Sequence, residues 1–358
     1  MEEGVSSVPR IRVKLVLKSA NRKEGEGLRR HFPGGVPMWG DCVFVFDQDA
    51  SDYDWLVVYD DLPSVDGERY SLRREKLNCD PYRTLFITAE PSTIKTYASR
   101  FVGQFGHVLT SQEPWALRHP NAIFSQPALV WFYGRHDPAI TYDRMLASPP
   151  VLKTAGLSTV CSSKQQTHTL HRARYQFTQQ LKSAIPSMDV FGHGVRPIKD
   201  KSEAVDAYRY HLAIENHVCR HHWTEKLADA FLGHCLPFYH GCSNAFDYFP
   251  EESLIPVDIG KSDEAIEIIQ RAIRDSEYEK RVKAISEARR LVLEKYGIFA
   301  VVSKLVAELH SITTESNNAK KGQILSRRAH RMASISNALS YARDMLAIQI
   351  RHKITNFK

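Results

Sequence analysis

The chain has 358 residues, of which 43% are hydrophobic and 25% are charged. This composition is typical of a soluble globular protein, and the length predicts two domains of about 150–180 residues each. No run of 18 apolar residues is present and the N-terminus is acidic before it becomes apolar, so the sequence predicts neither a membrane span nor a secretory signal. We expect a cytoplasmic protein whose six scattered cysteines are free thiols.

The positive net charge of +7 is confined to the C-terminal segment. Residues 319–358 contain nine Lys and Arg and one acid, Asp344, so this tail carries +8 and the rest of the chain carries −1. The body therefore lacks the basic surface that a nucleic-acid-binding protein needs, and we predict no nucleic-acid partner.

The first half of the chain alternates short apolar runs with helical stretches, which is typical of a parallel sheet covered on both faces. One helix is predicted after the fourth of these runs, over 92–106, where it is closed by glycine. The predicted strands are 12–17, 42–47, 54–63, 84–92, 107–111 and 128–134.

A second αβ series follows a loop-like stretch at 145–158. Its predicted helices include 227–233, 262–273 and a long helical region over 276–314, and its predicted strands are 188–194, 208–216, 235–241 and 254–260. We therefore predict an α/β protein with two Rossmann-like, doubly wound domains, 1–150 and 151–318, followed by a helical tail, 319–358.

Ligands of doubly wound sheets bind outside the carboxyl ends of the strands. Residues at the carboxyl ends of the predicted strands are therefore the first candidates for a site. They are Glu90, Gly192, Gly194, Glu215 and Asn216, and the helix start at Thr224, Glu225 and Lys226 joins them.

Thr224 has the properties of an N-cap for a helix that begins at Glu225. The start of a helix offers free N–H groups and the positive end of a dipole, both of which suit a phosphate. Lys226 adds a cation, and Glu225 can accept hydrogen bonds from sugar hydroxyls. A nucleotide-diphosphate site and an ordinary surface cap both fit this pattern.

Three segments at this spacing resemble the signature of glycosyltransferase family 10, the α-1,3/1,4-fucosyltransferases. The segments are HLAIEN (211–216), WTEKL (223–227) and HCLPFYHG (234–241). A helix with Arg174, Phe177 and Leu181, followed by MDVFG (188–192), matches the family's upstream pattern, and SLIPVDI (253–259) matches its downstream strand loosely. The resemblance covers about 165–275 and extends weakly to the Glu90-Pro91 strand end.

The resemblance implies a GT-B fold and an inverting transfer of L-fucose from GDP-fucose to a hydroxyl of a glycan acceptor. It implies that Arg174 and Lys226 bind the donor diphosphate, that Glu225 binds the nucleotide sugar, and that Glu215 and Asn216 line the same pocket. Glu90, in the acceptor-side domain, is the candidate catalytic base. Gly192 and Gly194 are expected to let the backbone approach the nucleotide.

Two positions depart from the family pattern. His217 replaces a serine and His222 replaces the tyrosine before Thr-Glu-Lys, although an imidazole at 222 can still stack on or donate to the donor. The neighbouring histidines and cysteines raise the question of a zinc site, but their spacing does not favour one. We predict no metal and no cofactor beyond the donor substrate, because the displacement is stabilised by Arg and Lys.

The tail contains apolar residues at 332, 335, 339, 342 and 346, which describe one helical stripe. A helix packed on the body, a seam for a homodimer and a basic helix on anionic lipid all fit this pattern. Peripheral membrane contact through 319–358 is therefore one expectation among three.

Two alternatives to fucosyl transfer remain open on the sequence. One is a GT-B transferase that uses another nucleotide sugar, and the other is an inactive, GT-B-shaped glycan-binding protein. A nucleic-acid-binding protein is a third class, supported by the tail alone.

Overall fold

The computed structural model describes residues 10–18, 27–64, 68–128, 130–163, 169–312 and 322–355. The chain forms two compact units. Unit 1 comprises residues 1–127 and 299–358, and unit 2 comprises residues 128–298.

Unit 1 is built on a sheet whose described strands follow the order β2-β3-β1-β4-β6-β7-β8. All neighbouring pairs are parallel except β2 and β3. Central strands are buried on both faces, as their continuous apolar runs predict. The strands are β1 (Ile11–Leu17), β2 (Met38–Trp39), β3 (Cys42–Val45), β4 (Trp55–Tyr59), β6 (Thr84–Ile87), β7 (His107–Thr110) and β8 (Ala122–Phe124).

Unit 2 contains a parallel sheet with the order β10-β9-β11-β12-β13. Its strands are β9 (Ala155–Val160), β10 (Asp189–Phe191), β11 (Tyr208–Ile214), β12 (Leu236–His240) and β13 (Ile255–Pro256). Its helices are α2 (Tyr142–Ala147), α3 (His171–Ala184), α4 (Ser202–Val205), α5 (Glu225–Leu232), α6 (Ser262–Arg274) and α7 (Glu277–Glu294). The α/β class and the two Rossmann-like units of the predicted GT-B fold are confirmed.

The helix predicted over 92–106 is reduced to one turn, α1 (Ser99–Val102). The preceding loop is directed toward Asp60, whose carboxylate contacts the ammonium of Lys95 at 2.5 Å and the hydroxyl of Tyr97 at 2.5 Å. Two side chains directed at one buried acid favour a loop over a helix in this stretch.

The strand predicted at 128–134 is wrong for residues 128 and 130–134, which form no strand, and residue 129 lies outside the described residues. The backbone N–H groups of Phe132 and Tyr133 bind the carboxylate of Asp229, at 3.0 and 2.9 Å, and Gly134 donates to Asp200 at 2.8 Å. These side-chain acceptors replace the ladder partners that a strand would need.

The division of the chain also differs from the predicted boundary near 145–158, which lies inside unit 2. The acceptors Asp229 and Asp200 bind the backbone of 132–136 to unit 2, so this segment belongs there. The chain returns to unit 1 at Phe299, in helix α8 (Ile298–Ile312). The ring of Phe299 packs on the rings of Phe32 and Phe44.

The tail is part of unit 1. Strand β14 (Gln323–Leu325) pairs antiparallel with β5 (Arg74–Lys76), and helices α9 (Arg327–Ala333) and α10 (Ile335–Thr355) follow. This supports the expectation of a helix packed on the body, although residues 319–321 and 356–358 lie outside the described residues. The described helices include none that is both long enough and apolar enough to cross a bilayer.

Candidate functional site

Glu215 lies directly after β11, and its side chain is completely buried. Its two oxygens accept hydrogen bonds from the backbone N–H and the hydroxyl of Thr224, at 2.8 and 2.6 Å. The hydroxyl of Tyr239, on neighbouring β12, lies 3.5 Å away. Burial raises the pKa of Glu215, while Lys226 and the Thr224 donors oppose that shift. Glu215 therefore fastens the start of α5 to the end of the central strand.

Thr224 is the N-cap of α5, as predicted, because its hydroxyl accepts from the backbone N–H of Lys226. Its backbone is extended, with φ −126° and ψ −168°. The same hydroxyl oxygen lies 3.1 Å from the Lys226 ammonium. The first turn of α5 thus gathers a capping hydroxyl, helix N–H groups and a cation at the carboxyl edge of the sheet.

Lys226 lies between two carboxylates, 2.8 Å from Glu225 and 3.4 Å from Glu215. Burial favours the neutral amine, but Glu225 and Glu215 outweigh it and raise the pKa of Lys226. Burial likewise favours a neutral Glu225, and Lys226 lowers the pKa of that carboxyl to about 2. Both groups are therefore charged at neutral pH.

Arg174, on α3, points at the same strand end. Its Nη1 donates to the Oδ1 of Asn216 at 2.9 Å, so Arg174 and Lys226 contact consecutive residues, Asn216 and Glu215. Arg174 is only 7% exposed, and within the described part of the chain its buried Nε has no hydrogen-bond partner. A buried guanidinium with an unused donor beside a second cation is suited to an anion with several oxygens.

The loop after β10 requires glycine at 192 for steric reasons. Gly192 has φ +135°, and a Cβ there would lie 2.6 Å from the carbonyl oxygen of Cys161, which follows β9. Gly194 also has a positive φ, of +80°. The predicted approach of this backbone to a nucleotide stays a prediction, and the close contact with Cys161 accounts for Gly192 by itself.

His222 is buried, 3% exposed, and its ring packs on that of His217 with centroids 5.9 Å apart. The structure thus places the histidine that replaces the family tyrosine inside the loop between β11 and α5. Its contact with a donor stays a prediction.

Glu90 belongs to unit 1, where it follows β6 and is half-buried. Its carbonyl accepts from the side-chain amide of Gln112 at 2.8 Å, and its backbone N–H faces the hydroxyl of Tyr97 at 3.4 Å. The loop is held by its backbone at the carboxyl edge of the sheet, which is the position expected from the sequence. Its role as a base stays a prediction.

Sequence reasoning missed Asp229, one helical turn beyond Glu225 on α5. The signal available was an acid four residues after Glu225 within an apolar helix. Its Oδ1 holds the backbone of 132–133, and among the described residues its Oδ2 has no partner. Burial raises the pKa of Asp229 to about 7.

Asp229 should make stability depend on pH. Its pKa is higher in the folded state than in the unfolded chain, so the folded state binds more protons and stability falls as pH rises from about 4 to 7. Between pH 5 and pH 8 the wild type should lose a few kcal/mol of unfolding free energy. Asp229→Asn should not show this loss, because its amide carries no charge. Urea unfolding at both pH values measures this, with exposed Asp263→Asn on α6 as the control. Equal pH dependence in wild type and Asp229→Asn would rule the effect out.

Glu215→Gln should destabilise the fold, although the two side chains have nearly the same shape. The new amide group would face the two donors of Thr224 and remove the charge beside Lys226. We expect a loss of about 2–4 kcal/mol in chemical unfolding. Tyr239→Phe removes the long 3.5 Å contact with Glu215 and the 2.9 Å hydrogen bond from the backbone N–H of Cys242, and should cost about 1–2 kcal/mol. A loss below that of Tyr239→Phe would show that Glu215 does not anchor α5.

A family model matches the part of the chain that contains these residues. Residues 152–280 match the model described as glycosyltransferase family 10 (fucosyltransferase), C-terminal. An α-(1,3)-fucosyltransferase from Helicobacter pylori is 34% identical over 74 residues, which is 20% of this chain and only 16% of that protein's length.

Solved structures with a similar course of the chain include an α1,3-fucosyltransferase and a sucrose-phosphate synthase from Thermosynechococcus elongatus. The first, with GDP-fucose, has a TM-score of 0.46 and 17% identity over 83% of this chain and 95% of that chain. The second has a TM-score of 0.43 and 11% identity over 85% of this chain and 100% of that chain. The segment 152–280, which contains Arg174, Glu215 and Lys226, is therefore similar to the C-terminal part of glycosyltransferase family 10.

Proposed function

We propose that the protein is an inverting glycosyltransferase that transfers L-fucose from GDP-fucose to a hydroxyl of a glycan acceptor. The observation that carries this proposal is the convergence of Arg174 and Lys226 on consecutive residues at the end of β11, within the segment that matches the family. The 34% identity to an H. pylori α-(1,3)-fucosyltransferase over 74 residues supports fucose as the sugar.

In the proposed reaction the cations of unit 2 act on the leaving group. As the bond to the anomeric carbon breaks, negative charge gathers on the GDP diphosphate, and Arg174 and Lys226 stabilise it. Lys226 is already charged because Glu225 and Glu215 raise its pKa, so it need not gain a proton before the donor binds. Glu225 remains ionised and can accept hydrogen bonds from the hydroxyls of the donor.

We propose that Glu90 takes the proton of the acceptor hydroxyl as that oxygen attacks the anomeric carbon from the face opposite GDP. A half-buried carboxylate at a strand end can serve as such a base. The proton passes to Glu90 and GDP leaves with the bonding electron pair, so the anomeric configuration inverts. This step uses no metal ion.

We further propose that the protein acts in the cytoplasm, with peripheral membrane contact through 319–358, and that it does not bind nucleic acid. A homodimer stays an open proposal. The positive charge of the tail supports the membrane contact, and the nearly neutral body supports the absence of a nucleic-acid partner.

A donor panel tests the proposed reaction. Release of GDP from GDP-fucose, in the presence of a mixture of glycan acceptors, should exceed release from GDP-mannose and UDP-galactose at least a hundredfold. The anomeric configuration of the product, read by NMR, should be α from the β-linked donor. Turnover of a UDP-sugar alone would favour the alternative transferase, and binding of glycans without turnover would favour an inactive binding protein.

A further inference from the structure

The peptide groups on both sides of Glu90 are held by buried side chains. The backbone N–H groups of Ala89 and Glu90 face the hydroxyl oxygen of Tyr97, at 3.2 and 3.4 Å. The Nε2 of Gln112 donates to the carbonyls of Glu90 and Lys95, at 2.8 and 2.9 Å. Glu90 lies beyond the end of β6, so side chains rather than strand pairing hold its backbone. These contacts therefore set the direction in which the Glu90 carboxylate leaves the loop.

The Tyr97 hydroxyl can accept from these N–H groups because Asp60 takes its single hydrogen. Tyr97 is 1% exposed and its ring packs edge-on against that of Phe86, so the hydroxyl has a fixed position. It donates to the Oδ1 of Asp60 at 2.5 Å. A phenol has one O–H, and once an anion accepts that hydrogen the lone pairs are left for the backbone. Asp60 thus controls what the hydroxyl offers to the loop of Glu90.

Asp60 is an ionised acid in a strained backbone position. Its two carboxylate oxygens lie 2.5 and 2.6 Å from the ammonium of Lys95. Burial opposes ionisation, but Lys95 and Tyr97 together lower the pKa of Asp60 below its ordinary value. Its φ of +70° lies in the left-handed region, which glycine adopts without strain. The backbone therefore does not require aspartate here, and the carboxylate is what the residue contributes.

Asp60 and Glu90 follow β4 and β6, which are neighbouring parallel strands of unit 1. We propose that Asp60 is a positioning residue for the base, and that it acts through the Tyr97 hydroxyl on the loop of Glu90. This role of Asp60 rests on the proposed function, in which Glu90 takes the proton of the acceptor hydroxyl. A base displaced by about 1 Å can lose roughly a hundredfold in rate, so the chemical step depends on this contact while donor affinity does not.

Tyr97→Phe tests the positioning without removing either buried charge. We expect kcat for fucosyl transfer to fall at least tenfold, while KM for GDP-fucose and the affinity for GDP stay within threefold of wild type. The matched control in unit 1 is Tyr53→Phe, whose buried hydroxyl likewise bridges backbone groups, the N–H of Asn78 at 3.1 Å and the carbonyl of Lys76 at 3.4 Å. It should lower Tm by a similar amount and leave kcat unchanged. Equal kcat values for the two tyrosine variants would contradict the positioning role.

Asp60→Asn tests the acid itself. Without the negative charge the Tyr97 hydroxyl is no longer held as an acceptor, so kcat should fall at least as far as in Tyr97→Phe. The control is the neighbouring buried acid, Asp61, which accepts from the backbone N–H groups of Leu62 and Arg327, both at 2.9 Å. Asp61→Asn should keep the wild-type kcat. A folded Asp60→Asn enzyme with the same kcat as Asp61→Asn would show that Asp60 only stabilises unit 1.

A double-mutant cycle separates action through Glu90 from a general loss of packing. In the Glu90→Gln enzyme the base is absent, so adding Tyr97→Phe should lower kcat by less than about twofold more. A tenfold effect of Tyr97→Phe that persists in that background would overturn the positioning role. Full activity of Tyr97→Phe beside an impaired Glu90→Gln would refute the positioning role alone and leave the proposed function standing. Full activity of Glu90→Gln would refute the proposed base and the positioning role together.

Discussion

Replacing Lys226 with methionine is expected to lower kcat by about 10²–10³, since the leaving diphosphate would lose a fixed cation. Methionine has a similar length, so the loss reports charge more than packing. The change also leaves Glu215 and Glu225 near each other without the ammonium that now lies 3.4 and 2.8 Å from them. We therefore expect a loss of about 3–5 kcal/mol in stability as well. Initial rates with GDP-fucose, measured at a temperature where circular dichroism shows the variant folded, give the kinetic effect.

A charge-preserving variant separates catalysis from folding. Lys226→Arg should retain part of the ion pairing, and its kcat should exceed that of Lys226→Met at least tenfold. Lys261→Met removes an exposed lysine at the start of α6, paired with Glu264 at 3.5 Å, and should change neither rate nor stability measurably. A folded Lys226→Met enzyme that retains more than a third of the wild-type rate would contradict the proposal that Lys226 stabilises the leaving diphosphate.

Glu90→Gln is expected to lower kcat by about 10²–10⁴, because the amide cannot take the proton of the acceptor hydroxyl. The amide keeps the shape of the side chain, and the backbone contacts with Gln112 and Tyr97 are unaffected. GDP affinity, measured by calorimetry, should stay within threefold of wild type, since Arg174 and Lys226 lie in unit 2.

The matched control in the same unit is Glu308→Gln, which changes an exposed glutamate on α8. It should leave both kcat and GDP affinity unchanged. If Glu90→Gln were as active as Glu308→Gln, the base would have to be another group, and the inverting step would need a different proton acceptor.

The fold class could be predicted from the sequence because most buried strands are short apolar runs of the right length. β4 and β11 are examples, each buried over nearly its whole length. The 128–134 run has the same apolar character but is no strand, because its N–H groups bind Asp229 and Asp200. Those acids lie about 65–100 residues away in the sequence, and local patterns carry no information about such partners.

The division of the chain into two units could not be predicted from the sequence, for a related reason. Helix α8 continues almost directly from α7, and no loop-like composition marks Phe299 as the point of return to unit 1. What binds it there is aromatic packing on Phe32 and Phe44, some 260 residues earlier. A boundary drawn from loop composition alone therefore falls at 145–158, where the chain only turns within unit 2.

The structure brings several of the candidate residues to one strand end, and their role in binding a donor stays a prediction. The Thr224 cap is confirmed, and Arg174 and Lys226 meet at the end of β11. Glu215, expected to line a pocket, is instead fully buried behind Thr224. Motif spacing identifies which side chains share a strand end, but which of them faces solvent depends on packing that the motif does not encode.

The central claim is that Arg174 and Lys226 bind the diphosphate of a guanine nucleotide, and thermal unfolding with a nucleotide panel tests it most directly. GDP at about 100 times its Kd should stabilise the wild type by about 2.7 kcal/mol and raise Tm by several degrees. UDP and CMP at the same concentration should have little effect, and Lys226→Met should lose the response to GDP. No shift with GDP, or equal shifts with GDP, UDP and CMP, would contradict the account.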